Sequence, residues 1–124
     1  MMVVNKYKTT MENTMKLLTK ALIKQMPTLD ETASLRIEEQ FAYAKIFNPM
    51  GGHTWYLTSY SEEENLAFGF VNLGDPQMAE LGYISMHELE SIRLPFGLKL
   101  ERDRGFDKMP LQELITKVKQ GEHI

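Results

Sequence analysis

Cysteine is absent from this chain of 124 residues. Without thiols the protein has no disulfide, cysteine nucleophile, iron–sulfur cluster or thiolate zinc site. A chain of this length buries a core without such cross-links, so we expect a single domain. The absence also fits a reducing cytoplasm.

Long apolar runs are missing as well. None approaches the roughly 20 residues that span a bilayer, and the first residues, MMVVNKYKTTMENT, lack the apolar segment of a secretory signal. We therefore expect a soluble, cytoplasmic protein with no membrane partner. An excess of basic charge is also lacking, because the formal net charge is -3. This disfavours a nucleic-acid binder that is basic over its whole surface, and it leaves a local basic patch open.

Several catalytic signatures do not occur. The chain has no phosphate loop, no G-x-G-x-x-G, no G-x-S-x-G and no H-E-x-x-H. It also lacks the Glu-x-Lys pair of restriction-type nucleases. These absences favour a protein that is not an enzyme and that holds no cofactor or metal.

Helical spacing of apolar residues marks the two ends of the chain. Met11 to Met26 has this spacing, and Thr9 with Glu12 is a candidate capping box before a helix that Pro27 ends. A second stripe, on Leu111, Leu114, Ile115 and Val118, predicts a final helix before Gly121. Residues 28–37 show no clear period and are interpreted as a connection.

The middle of the chain is rich in strand patterns. Alternation of apolar and other residues predicts strands over Gln40–Phe47, His53–Tyr60, Leu66–Leu73, Leu81–Ile84 and Leu98–Asp103. Asn48–Gly52 is a turn, so the first two strands should form a hairpin. Ser85 and Glu88 have the spacing of a capping box at the start of a short helix over Met86–Ile92.

Together these elements predict a single α+β domain. We expect an antiparallel sheet of about five strands, covered on one face by the N-terminal and C-terminal helices. Residues 1–14 are interpreted as an N-terminal extension, 15–120 as the domain and 121–124 as a tail.

Four phrases of the chain resemble a known family. They are MKLLTKALIKQMPTL, KIFNPMGGHTWYLTSY, AFGFVNLG and ELGYISMHELESIRLPFGLKLERD. Together they are similar to a family of small bacterial proteins of unknown function, often encoded on plasmids, conjugative elements and phage-like islands. The resemblance implies an α+β fold and a mobile-element setting, and it implies no activity or catalytic residues.

Three residues are candidates for catalysis or metal binding. Glu101 and Asp103 share one face of a predicted strand, and His53 follows two glycines in the hairpin turn. Such groups do acid–base work when they converge in one pocket. The alternative is a solvated strand end with weak ion pairs and an exposed histidine. His87 and Glu90 provide only half of a carboxylate-bridged metal site.

Six residues are candidates for binding, and they are Tyr43, Lys45, Trp55, Tyr56, Arg102 and Arg104. Exposed aromatic rings rimmed by cations would form a stacking platform for bases or a small heterocycle. If they are buried, the same rings are core, which is the commoner arrangement.

Three functions stay open. The first is a non-catalytic protein that docks on a host or element-encoded protein, in its sharpest version an inhibitor of a host defence system. The others are an accessory module for single-stranded nucleic acid, and a small-ligand or nucleotide-binding protein. The first helix or the N-terminal arm also offers a surface for a homodimer.

Overall fold

The structure, a computed structural model, describes residues 17–124. Its helices are α1 (Lys20–Gln25), α2 (Leu29–Thr32), α3 (Met86–Ser91) and α4 (Leu111–Lys119). Its strands are β1 (Phe41–Ala42), β2 (Ala44–Phe47), β3 (His53–Ser61), β4 (Leu66–Leu73), β5 (Glu80–Ser85), β6 (Glu101–Arg102) and β7 (Met109–Pro110). The predicted α+β class is confirmed. The N-terminal extension, the Thr9–Glu12 cap and the start of the predicted first helix lie outside the described residues.

Five strands form one antiparallel sheet in the order β5-β4-β3-β2-β6. The predicted hairpin is present as β2 and β3, and Asn48 holds its turn by accepting the Met50 N–H at 2.8 Å through Oδ1. The first predicted strand is interrupted at Tyr43, because β1 leaves this sheet and pairs with β7. The strand predicted over Leu98–Asp103 is reduced to β6.

The sheet is buried on both faces, which corrects the expected placement of the helices. Trp55 and Leu57 of β3 point into a first core, which also contains Leu22 of α1 and Leu89 of α3. Tyr56, which lies between them on β3, points to the opposite face of the sheet, into a second core. It is formed by Ala42, Tyr56, Phe70, Ala79, Leu111, Leu114 and Val118, and so it lies under α4. The terminal helices therefore pack on opposite faces, because β3 carries apolar side chains in both directions.

Side-chain caps explain where the short helices begin. Ser85 accepts the Glu88 N–H at 3.2 Å and starts α3, as predicted. Thr28 and Glu31 form a reciprocal capping box that starts α2. The interpretation of residues 28–37 as a connection missed this short helix, because a capped single turn has no apolar period to reveal it. Within residues 17–124, no helix is long and apolar enough to cross a membrane.

Candidate functional site

Strand β5 lies at one edge of the sheet. Its inner edge pairs with β4 from Glu80, opposite Val71, to Ser85, opposite Leu66. No other described strand pairs with its outer edge. An edge strand presents a row of main-chain N–H and C=O groups that can pair with another chain. The outer edge of β5 is therefore a candidate binding site.

Large apolar side chains surround this edge. Tyr83 of β5 is 71% exposed, Leu73 at the end of β4 is 63% exposed, and Met78 in the connection between β4 and β5 is 75% exposed. The Tyr83 ring stands edge-on against Phe68 of β4, with ring centroids 5.1 Å apart. This contact restrains the orientation of the Tyr83 ring beside the outer edge of β5. Clustered exposed apolar residues are typical of interaction sites rather than of ordinary surface.

Two open grooves border β5, and both are lined by Leu81 and Tyr83. The first has a volume of about 340 Å³ and is also lined by Val71, Leu73, Asp75, Met78, Glu80 and Gly82. The second has a volume of about 320 Å³ and is also lined by Leu29, Thr32, Ala33, Leu35, Ile37, Gln40 and Phe68. An added strand projects its side chains alternately to the two faces of a sheet. The first groove lies on the sheet face of Val71 and the second on the face of Phe68, so each face offers a groove to such side chains.

The residues nominated from the sequence lie elsewhere. Lys45, Tyr56 and Asp103 do come together, because β6 pairs beside β2 and the Asp103 N–H bonds to the Lys45 carbonyl at 2.9 Å. Lys45 Nζ lies 3.6 Å from Asp103 Oδ2 and also donates to the main-chain oxygen of Ile124. The Tyr56 hydroxyl lies 3.4 Å from that oxygen. The last residues of the described chain thus pack against this cluster.

The cluster changes the ionisation of Tyr56. Burial of the ring, and then the negative charge of Asp103, raise the pKa of Tyr56 from 10.0 to about 12. Burial, followed by Glu90 and Glu62, also raises the pKa of Tyr60. Both causes penalise the tyrosinate anion.

Alkaline pH is therefore expected to destabilise the fold. Below pH 10 the neutral Tyr56 makes its full contribution to the free energy of unfolding, on the order of 2 kcal/mol. This contribution is lost as pH rises toward 12. Urea unfolding measured at intervals between these limits should show a shallower loss of stability in Tyr56→Phe than in the wild type. An identical slope in the two proteins would contradict the assignment, and Tyr60→Phe should change the slope in the same direction.

The three catalytic candidates do not converge. The His53 ring stacks on Trp55 at 6.3 Å, on the face that carries the first core. Glu101 pairs opposite Phe47, so it shares the other face with Lys45 and Asp103. No group of three metal-ligating side chains occurs among residues 17–124. Acid–base work by all three needs them in one pocket, and the structure places His53 on the opposite face of the sheet from Glu101 and Asp103.

Two of the rings nominated for a stacking platform are buried. Trp55 and Tyr56 are 9% and 3% exposed, one in each core, because β3 is the central strand of the sheet. Tyr43 is half-buried, and Lys108 lies 5.1 Å from its ring and 4.5 Å from the ring of Phe41. A cation of the protein itself therefore already covers these rings.

Arg102 and Arg104 have different surroundings. Arg102 Nε donates to the Leu17 carbonyl at 3.0 Å, and the Leu17 N–H bonds to Glu90 at 2.9 Å. Arg102 therefore fixes the start of the described chain between β6 and α3. Arg104 is exposed in the turn that follows β6.

The residues around β5 were not predicted from the sequence. Leu81 and Tyr83 alternate along a short strand, which is a strand signal and not a binding signal. Their exposure depends on the strand order, since β6 joins the far edge beside β2 and leaves β5 outermost. Only the packing of the folded chain reveals this.

Comparison with known proteins gives a family but no described activity. No curated protein and no solved structure matches the chain. Residues 17–124 match the model of a family described as proteins of unknown function, DUF2958. Since the match covers most of the chain, the protein belongs to the DUF2958 family.

Proposed function

We propose that this protein is a non-catalytic binding protein that docks on another protein through β5. The observation that carries the proposal is an unpaired edge strand bordered by two apolar grooves. A partner segment that adds a strand there gains main-chain hydrogen bonds along β5 and buries alternate side chains in the grooves.

The composition of β5 supports this use. Natural proteins block free edges with lysine, proline, bulges or a covering element. The strand, ELGYIS, contains neither lysine nor proline, and no described element pairs with its outer edge. Its third residue, Gly82, has open space over the face of the sheet, since a Cβ there would meet no atom within 4 Å. The composition of β5 therefore provides none of these blocking features at its outer edge.

Tyr83 is the expected anchor of the interface. Tyrosine is enriched among the residues that dominate binding energy, because it buries a large rigid ring at a low cost in conformational entropy. Its contact with Phe68 fixes the ring before binding. The mobile-element setting that the family resemblance implies favours a host defence protein as the partner, with inhibition as the outcome of docking.

Tyr83→Ala is expected to weaken partner binding at least about tenfold. The test begins with capture of partners from a host lysate on the intact protein after nuclease treatment. Hydrogen exchange on the purified complex should then show protection of Glu80–Ser85. Both the affinity for the partner and this protection should fall in Tyr83→Ala.

Phe96→Ala is the matched control. Phe96 is 91% exposed and lines neither groove, so its truncation removes a comparable exposed ring from another surface. Binding that survives Tyr83→Ala and is lost in Phe96→Ala would show that the docking surface lies elsewhere. A complex that is captured only from lysate left without nuclease would overturn protein docking altogether.

A further inference from the structure

The charged residues that line the two grooves beside β5 have one sign. Among the described residues that line the two grooves there is no lysine and no arginine, and the charged ones are Asp75 and Glu80. Both are exposed and lie at or before the first residue of the strand. The beginning of β5 is therefore acidic.

The end of β5 is acidic as well. Leu66 pairs with both Ser61 and Ser85, which places the loop between β3 and β4 beside the last residue of β5. That loop contains the exposed residues Glu62, Glu63 and Glu64. Exposed Glu88 follows in the first turn of α3. An apolar edge thus lies between two negative ends.

Two cations near the rims do not cancel this pattern. Arg36, next to the groove residue Leu35, lies 3.4 Å from both Glu38 and Glu39. Lys119 Nζ donates to the carbonyl of Gln77, beside Met78, at 3.2 Å. Arg36 is therefore paired with two carboxylates, whereas Lys119 keeps its charge and is outnumbered by Asp75, Glu80 and the glutamates at the other end of β5.

We infer that the segment bound on β5 is extended, apolar in its centre and flanked on both sides by lysine or arginine. The inference rests on the proposed function and adds the chemistry of the partner. Acidic groups at both ends of β5 attract basic flanks, and the grooves accept the apolar side chains between them. The negative field also speeds the encounter with such a segment.

Other occupants match the charges less well. In a second copy paired antiparallel on β5, Glu80 of one copy would approach the Ser85 end of the other, where the glutamates of the loop and α3 lie. Like charges would meet at both ends of that interface. Nucleic-acid phosphates would be repelled in the same way.

One polar atom beside the second groove points to a donor on the occupant. Gln40 lines that groove, and its Oε1 is buried with no hydrogen-bond partner among the described residues. Its Nε2 donates to the Leu35 carbonyl at 3.2 Å. An N–H of the occupant, from its main chain or from a basic side chain, is the kind of group that would satisfy this oxygen.

A displayed peptide library tests this inference. Random peptides of about ten residues cover the six residues of β5 and leave a flank on each side. They are selected on the full chain and counter-selected on Met78→Ala/Tyr83→Ala, whose substituted side chains are both mostly exposed. Enriched peptides should have an apolar centre and basic flanks. Their affinity should fall about tenfold in Glu80→Lys, and also when salt is raised from about 0.05 M to about 0.5 M.

The outcomes separate the partner chemistry from the docking itself. Peptides that depend on Met78 and Tyr83 but carry neutral or acidic flanks would overturn the inference and leave docking on β5 intact. Failure to enrich any peptide that depends on these side chains would overturn both. Sedimentation of the chain alone tests whether a second copy binds on β5. A dimer that forms in the wild type and is lost in Met78→Ala/Tyr83→Ala would also overturn the inferred partner.

Discussion

Gly69→Ala is expected to lower the free energy of unfolding by about 3 kcal/mol. A Cβ at Gly69 would lie 1.9 Å from the main-chain oxygen of Tyr56 and 2.8 Å from its carbonyl carbon. Neither atom can move without separating β3 from β4 in the centre of the sheet. Urea unfolding followed by circular dichroism measures the loss, which is a large fraction of the stability of an ordinary domain.

Gly82→Ala is the matched control, because Gly82 pairs directly opposite Gly69. A Cβ at Gly82 would meet no atom within 4 Å, so we expect a change within about 0.5 kcal/mol. Equal losses in the two variants would show that the close approach of β3 and β4 is not the cause. The pair compares the same substitution on two neighbouring strands.

Phe70→Ala is expected to cost about 3–5 kcal/mol. Phe70 is 1% exposed and packs in the second core with Tyr56 and Leu114, so truncation leaves a cavity between β4 and α4. Urea unfolding again measures the effect, with Phe70→Leu as a milder variant if the alanine protein does not fold.

Phe68→Ala provides the comparison for this cavity. Phe68 lies two residues earlier on the same strand and the same face, but it is only half-buried against Tyr83. We expect a loss of about 1 kcal/mol, because the site is open to water. A loss as large as that of Phe70→Ala would mean that packing at the β5 edge stabilises the fold as much as packing under α4 does.

Local patterns explain most of the predicted elements. Alternation located β3 and β4 closely, the Ser85 cap located the start of α3, and the apolar stripe located α4. These signals depend on neighbours a few residues apart, so they can be read from the sequence. The apolar residues of β3 in both directions also carried a usable signal for burial on both faces.

The candidate site depends on longer-range contacts. Whether Tyr83 is covered or exposed depends on which strand lies beside β5, and no local pattern specifies that neighbour. The meeting of Lys45 with Asp103 likewise requires β6 to pair with β2. Strand order is set by the summed packing of both cores, which explains why the elements were predicted and the binding surface was not.

The position of β6 also has a consequence for how the chain folds. Strands β2 to β5 are joined by short connections, so they can pair as successive hairpins. Strand β6 must return to β2 across the whole meander, and β7 must find β1 over a still longer stretch of chain. Closing these long loops costs conformational entropy before the packing of the two cores can offset it. We therefore expect the edge at the candidate binding site to form early in folding and the opposite edge to close last.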